Sequence, residues 1–301
     1  MTTISPREKF RLSSSTSKEG DFPAGLLEHR SVSKKVILMK KTRVGDIDIC
    51  YQVMGSGHPL ILIMGLTANM DWWDPELLDQ LSSRYRLLLF DNRGAGRTDA
   101  PDGEFSIEQF ANDTAGLMET VGIDHANVLG VSMGGMIAQE LVLSHPEKVD
   151  KLILCATFCG GEKTVYADRE VLMKMVDRSG TPEQQVRKTV TLLFPEDWLK
   201  EHEDYLQDFF RRYSIAPVTE ENAMRQFMAT VKFSTYDRLP TVQKPTLVAC
   251  GTEDVIIPPE NSRILTEQIP GARLVEFEDA GHAFINQYRP RFLTLVTDFL
   301  G

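Results

Sequence analysis

Apolar positions recur along residues 36–155 with two spacings, and the spacing changes at glycines, prolines and charged turns. Val36-Ile37-Leu38-Met39 and Ile47-Asp48-Ile49-Cys50-Tyr51-Gln52-Val53 predict two strands around a turn at Gly45-Asp46. The second alternates apolar and polar residues as a half-buried strand does. Gly55-Ser56-Gly57 ends it, and Leu60-Ile61-Leu62-Ile63-Met64 reads as a fully buried strand that stops at Gly65. A helix over 74–83 leads to a strand over 86–90. In 106–121, Ile107, Phe110, Thr114, Leu117, Met118 and Val121 fall at helical spacing. Ser106 and Gln109 stand there as a capping box, with Gly122 as the C-cap. A strand at 126–129, a helix at 135–145 stopped by Pro146, and a strand at 151–155 complete the run. Strands that alternate with helices predict an α/β fold: a mainly parallel, twisted sheet with helices on both faces.

The alternation then stops. Residues 162–237 carry helical stretches separated by Gly180-Thr181-Pro182, Pro195 and Ala216-Pro217, with no convincing strand. Strand patterns resume at 245–250 and 273–277, and a last helix covers 290–300. The expected organisation is a flexible tail at 1–33, a core domain made of 34–161 and 238–301, and an all-helical cap inserted at 162–237. No internal repeat is present.

Composition narrows the functional classes. A chain of 301 residues that is 42% hydrophobic can bury one sizeable core. The net charge of -10 argues against nucleic acid as the principal partner. The charge is uneven, because residues 1–45 hold ten Lys/Arg against four Asp/Glu; this basic arm reads as a solvated tail. Cys50, Cys155, Cys159 and Cys250 lie in or beside apolar runs, as small buried hydrophobes do, and none is spaced as a CxxC pair. No apolar run approaches the roughly 20 residues of a membrane span, and the N-terminus lacks the apolar stretch of a secretory signal. A cytoplasmic protein with free thiols is expected.

The chemistry centres on Gly130-Val131-Ser132-Met133-Gly134, which joins a predicted strand to a predicted helix within five residues. Such a junction forces Ser132 into a sharp turn at a helix N-terminus, where backbone N–H groups favour negative charge. This is the pattern of a nucleophile elbow. A serine needs a base, and the base needs an acid to orient it. His29 lies in the tail, His58 in a Gly/Ser turn, His125 in a surface turn, His145 at a helix end and His202 among cap carboxylates. His282 alone sits in a short glycine-containing loop directly after a predicted strand, and it is the expected base. The acid belongs in another loop between elbow and base in chain order, where Gly251-Thr252-Glu253-Asp254 stands. Asp254 is preferred to Glu253, because Val255-Ile256-Ile257-Pro258 turns the chain back there. The oxyanion donors are expected to be the backbone N–H groups of Met133 and of Leu66, in the Gly65-Leu66-Thr67 loop.

With Gly-Val-Ser-Met-Gly-Gly around Ser132, Gly-Thr-Glu-Asp at Asp254, Ala-Gly-His at His282 and the Gly65-Leu66 turn, the chain resembles the α/β-hydrolase superfamily over residues 45–300. It is most similar to the cap-bearing group of 3-oxoadipate enol-lactonases, carboxylesterases and cofactor-free haloperoxidases. Asp91-Asn92-Arg93-Gly94-Ala95-Gly96-Arg97-Thr98 matches a further signature of that family and reads as a structural turn. Two positions depart from the pattern: Met64 stands where the family often has His, and Thr98 where it has Ser. The resemblance implies an α/β-hydrolase fold, and Ser at the elbow speaks against dehalogenases and epoxide hydrolases, which need Asp.

No His/Cys/Asp/Glu group has metal-ligand spacing and no GxGxxG opens a helix, so neither metal nor cofactor is implied. Aromatic and Met residues of the cap, with Leu66 and Trp72 or Trp73, are expected to wall an apolar pocket, and Trp198 is a further candidate. The expected activity is hydrolysis of an uncharged ester or lactone through an acyl-serine. The same triad also suits C–C cleavage, acyl transfer or perhydrolysis, and a ligand-binding receptor with slow turnover remains a third reading.

Overall fold

The computed structural model describes residues 39–177 and 179–301. The expected tail at 1–33, and three residues of the first predicted strand, lie outside that range. Among the described residues, eight strands form one sheet: β1 (Lys40–Val44), β2 (Ile47–Met54), β3 (Pro59–Ile63), β4 (Arg86–Phe90), β5 (Ala126–Val131), β6 (Val149–Cys155), β7 (Thr246–Gly251) and β8 (Arg273–Phe277). Their order across the sheet is β1-β2-β4-β3-β5-β6-β7-β8. β1 and β2 pair antiparallel, as do β2 and β4; every other pairing is parallel.

Among the described residues the first strand is Lys40–Val44, and Met39, the one described residue of the strand expected at 36–39, lies outside it. β1 is an edge strand held to β2 by its backbone, from Lys40 opposite Tyr51 to Val44 opposite Ile47, and most of its side chains face solvent. Such a strand needs no apolar run, so apolar patterning does not mark it. The turn at Gly45 falls where expected, with φ at +54°.

The central strands are buried on both faces and serve two cores residue by residue. In β3, Ile61 and Ile63 enter one core while Leu60 and Leu62 enter the other; in β4, Leu88 and Phe90 oppose Leu87 and Leu89. The first core is closed by α2 (Ile107–Thr120), α3 (Met133–Ser144) and α9 (Glu260–Gln268). The second is closed by α1 (Pro75–Ser82), the short α10 (Phe284–Gln287) and α11 (Arg289–Leu300). Asp74 caps α1 by accepting the N–H groups of Glu76 and Leu77. Ser106 Oγ accepts the Gln109 N–H, one half of the expected capping box. Helix α9 carried no prediction; a nine-residue helix that follows two prolines and alternates Glu, Arg and Gln with few apolar positions has a weak periodic signal.

Between β6 and β7 come α4 (Arg169–Val176), α5 (Pro182–Leu193), α6 (Glu196–Glu201), α7 (Glu203–Tyr213) and α8 (Glu220–Lys232). The breaks at Thr181, Pro195 and Ala216 were expected; the break at His202 was not. The two ends of this excursion are joined by backbone. Thr235 N–H donates to Cys159 O at 2.7 Å, Gly160 bridges Ser234, and Thr235 Oγ1 lies 2.8 Å from Gln139 Oε1 on α3.

Candidate active site

Ser132 links β5 to α3 with φ at +58° and ψ at -123°, a conformation costing about 1–3 kcal/mol that only an over-determined neighbourhood sustains. The determinants are close at hand. Ser132 N–H donates to Cys155 O at 2.9 Å, and Thr157 Oγ1 donates to Ser132 O at 2.8 Å. A Cβ on Gly130 would stand 2.2 Å from Gly134 O, and one on Gly134 would stand 2.1 Å from Ile63 O. Only glycine lets strand and helix meet this closely. As the first residue of α3, Met133 has no partner within the helix for its N–H.

His282 and Asp254 come from loops after β8 and β7. His282 Nδ1 lies 2.7 Å from Asp254 Oδ2, and both side chains are buried. Asp254 Oδ1 accepts the N–H groups of Ile256 and Ile257, each at 2.9 Å, so both carboxylate oxygens are engaged and the chain turns back as the sequence suggested. Glu253 is exposed and ties its loop through its backbone N–H to Ala280 O. The His282 loop is held in turn, since Gly281 N–H donates to Gln287 Oε1 and Ala283 N–H to Leu193 O. Asp279, with φ at +55°, donates its N–H to Thr252 Oγ1 and belongs to the loop.

The loop after β3 is braced by the Asp91–Thr98 turn. Asn92 Nδ2 donates to Met64 O at 2.9 Å, and Asp91 accepts from the Met70 and Arg97 N–H groups. Burial pushes the Asp91 carboxyl up, against those two N–H bonds. Arg93 pairs with both Asp113 and Asp46; burial opposes its charge, and the two carboxylates outweigh it and raise its pKa. Thr98 Oγ1 accepts the Cys50 N–H, so the hydroxyl that replaces the family's serine is used structurally.

One residue here escaped the sequence reading. Gln226 of α8 is fully buried; its Oε1 accepts Thr67 N–H at 2.9 Å and its Nε2 donates to Arg93 O at 3.0 Å. It therefore fixes the peptide that follows Leu66, where Thr67 sits at φ +63°. The signal was available, because Ala223, Gln226, Ala229 and Thr230 form one buried helical face and Gln226 is the amide within it.

Two cavities meet at Ser132. The smaller, about 90 Å³, is lined by Ser132, His282, Leu66, Trp72, Trp73 and Phe209, with Asp74 and Asn286 at its wall. The larger, about 260 Å³, is lined by Ser132, Met133 and Leu66 together with apolar side chains such as Met136, Leu172, Met175 and Phe227. Both tryptophans of the first loop thus line a cavity beside Ser132. Trp198 is a correction, because it lines neither. Its ring stacks between Phe194 at 4.6 Å and His202 at 4.1 Å, which spends both faces inside the helical segment. The four cysteines are buried without disulfides, and burial pushes the Cys159 and Cys250 thiols up to about 11.

Residues 58–286 match the family described as alpha/beta hydrolase fold. RutD of Azorhizobium caulinodans, assigned as a carbamate hydrolase, is 30% identical over 240 residues, which is 80% of this chain and 90% of that protein. BpoC of Mycobacterium tuberculosis, assigned as a non-heme bromoperoxidase, is 31% identical over 251 residues, 78% of this chain and 91% of that one. Among solved structures, the enol-lactonase of Burkholderia xenovorans aligns with a TM-score of 0.77 at 27% identity, covering 87% of this chain and 99% of its own. Among the described residues, no helix is long and apolar enough to cross a membrane.

Proposed function

Because this chain belongs to the α/β-hydrolase fold family, we propose that it is a serine hydrolase that cleaves a small, moderately apolar carboxylic ester or lactone. Ser132 Oγ attacks the carbonyl carbon while His282 takes its proton, and Asp254 at Nδ1 orients the ring and stabilises the imidazolium. The oxyanion accepts from the N–H groups of Met133 and Leu66. The C–O bond then breaks, and His282 returns the proton to the departing oxygen. Water attacks the acyl-Ser132 with the same histidine as base, releasing the acid and restoring the hydroxyl. In a lactone the departing hydroxyl stays tethered to the acyl group. Residues 162–237 act as the cap that walls the substrate.

The carrying observation is that both cavities reach Ser132 and His282 lines the smaller. A leaving oxygen protonated by His282 departs through that space, so the smaller cavity takes the alcohol. The acyl group stays on Ser132 and lies in the larger, apolar cavity beside Met133. Simple esters with acyl groups from acetyl to decanoyl, each as methyl and butyl ester, test this. kcat/KM is expected to rise with acyl length until the cavity is filled, and to fall from methyl to butyl. The opposite dependence would reverse the assignment, and failure of a fluorophosphonate to label Ser132 would remove the mechanism.

A second reading, a carbamate in place of the ester, has its own support. RutD is among the relatives. The smaller cavity is also lined by Asn286, whose amide oxygen can accept an N–H of a leaving amine. Ammonia release from a simple alkyl carbamate, compared with hydrolysis of the matching ester, separates the two.

A further inference from the structure

The strands that carry Ser132 and the oxyanion loop have another end. His58 immediately precedes β3, His125 immediately precedes β5, and Asp150 is the second residue of β6. These three strands are consecutive neighbours and run parallel, so their N-terminal ends lie side by side. Leu60 stands opposite Asn127, which sets His58 level with His125, and Ala126 stands opposite Val149, which puts Asp150 beside Asn127, two residues further along. Asp150 Oδ2 is 2.9 Å from His58 Nε2 and 2.6 Å from His125 Nδ1. One ligand atom from each of the three residues lies within 4.8 Å of the others. Solvent reaches all three, with side-chain exposures of 42%, 56% and 34%.

We propose that His58, His125 and Asp150 form a binding site for one divalent transition cation of the zinc class, with water completing its coordination. Two imidazole nitrogens and a carboxylate oxygen are a donor set that such ions take. Ligand atoms on a tetrahedron with bonds of about 2.1 Å stand about 3.4 Å apart, so each nitrogen has to draw back from Asp150 by only some tenths of an ångström. The backbone is already arranged, since each ligand is tethered at the start of a strand that both neighbours hold in register. A bound ion therefore joins the ends of three strands, on the far side of the sheet from Ser132. Sequence spacing cannot reveal such a site, because its ligands are 67 and 25 residues apart. The four thiols of the chain are buried and do not compete for the ion in the folded protein.

The full chain without an affinity tag, stripped with a chelator, is titrated with Co²⁺ and then with Zn²⁺. One equivalent of Co²⁺ is expected to bind, with a visible absorption band that Zn²⁺ abolishes. His58→Ala, His125→Ala and Asp150→Asn should each weaken binding at least tenfold, and His202→Gln should not. With Zn²⁺ at about a hundredfold excess over its Kd, Tm should rise by roughly 5 °C, and this rise should vanish in the three variants. Their metal-free Tm, measured alongside, reports that they are folded. No binding up to about 1 mM Co²⁺, or binding retained in both His58→Ala and His125→Ala, would leave the trio as a hydrogen-bonded cluster and overturn the proposal.

Discussion

The two sides of the Ser132 site are built by different means. On the sheet side, each candidate residue follows the end of a strand: Leu66 after β3, Ser132 after β5, Asp254 after β7 and His282 after β8. Backbone geometry fixes them, through glycines with no room for a Cβ and a carboxylate with both oxygens engaged. The helical side reaches the site mostly through side chains, such as Gln226 on the Thr67 peptide and Arg212 on Trp72 O at 2.9 Å, with Leu193 O on the Ala283 N–H as its backbone contact. It also leaves large apolar groups in solvent, among them Met173 at 61% and Val231 at 50% exposure. A site of this kind separates its tasks. Changes on the sheet side should abolish chemistry, and changes on the helical side should re-rank substrates.

Substitutions can break or sharpen that contrast. Ser132→Ala is expected to abolish ester turnover and fluorophosphonate labelling while the far-ultraviolet circular dichroism stays native. Asp254→Asn should lower kcat by about 10⁴-fold, as the loss of an orienting acid does in other triads. Glu253→Gln should leave kcat unchanged; if it takes the larger loss, the acid is misassigned.

Gln226→Leu tests a place where a side chain of the helical side governs chemistry. Releasing the Thr67 N–H should let the Leu66 donor wander. Loss of one such donor costs about 2.7–4 kcal/mol in full, so a partial loss, kcat down tenfold or more with KM nearly constant, is expected. A change confined to KM would instead make Gln226 a wall. Met175→Trp should shorten the preferred acyl chain, since one methylene in an apolar pocket is worth about 1–3 kcal/mol. Trp198→Ala should lower Tm and leave the acyl preference unchanged.

The smallest effect concerns stability alone. Burial works against the charge of Glu140, but hydrogen bonds from Arg238 and Ser144 outweigh it and hold the carboxyl below its ordinary range. A depressed folded-state pKa gives stability that is present above the unfolded value and lost as pH falls through the folded one. Thermal melts of Glu140→Gln should therefore lie below wild type near neutral pH and converge with it in acid.

What the sequence disclosed follows from how local each determinant is. The Ser132 turn was legible because its strand, glycines and helix are contiguous. Asp254 and His282 were picked out by chain order and by the loops that follow their strands, and the structure joins them at 2.7 Å. The face that Trp198 turns inward depends on Phe194 and His202, so helical position alone did not decide it. β1 went unmarked because an edge strand is held by main-chain bonds that apolar patterning does not register. His58 and His125 read as ordinary turns, and Asp150 drew no reading, until strand order brought the three together.

The backbone closure between Cys159–Gly160 and Ser234–Thr235 bears on how this scaffold can be diversified. The chain leaves the sheet at β6 and re-enters it at the adjacent β7, with Ala156 N–H already donating to Ala249 O. The ends of the excursion are thus pinned together whatever lies between them, and closing a longer loop costs only slowly more entropy. The segment from Gly161 to Phe233 is therefore expected to tolerate exchange, provided the graft supplies groups that hold the Thr67 N–H as Gln226 does and the Ala283 N–H as Leu193 does. Grafting a relative's helices at those two seams would transplant selectivity while β6, β7 and the elbow keep their registration.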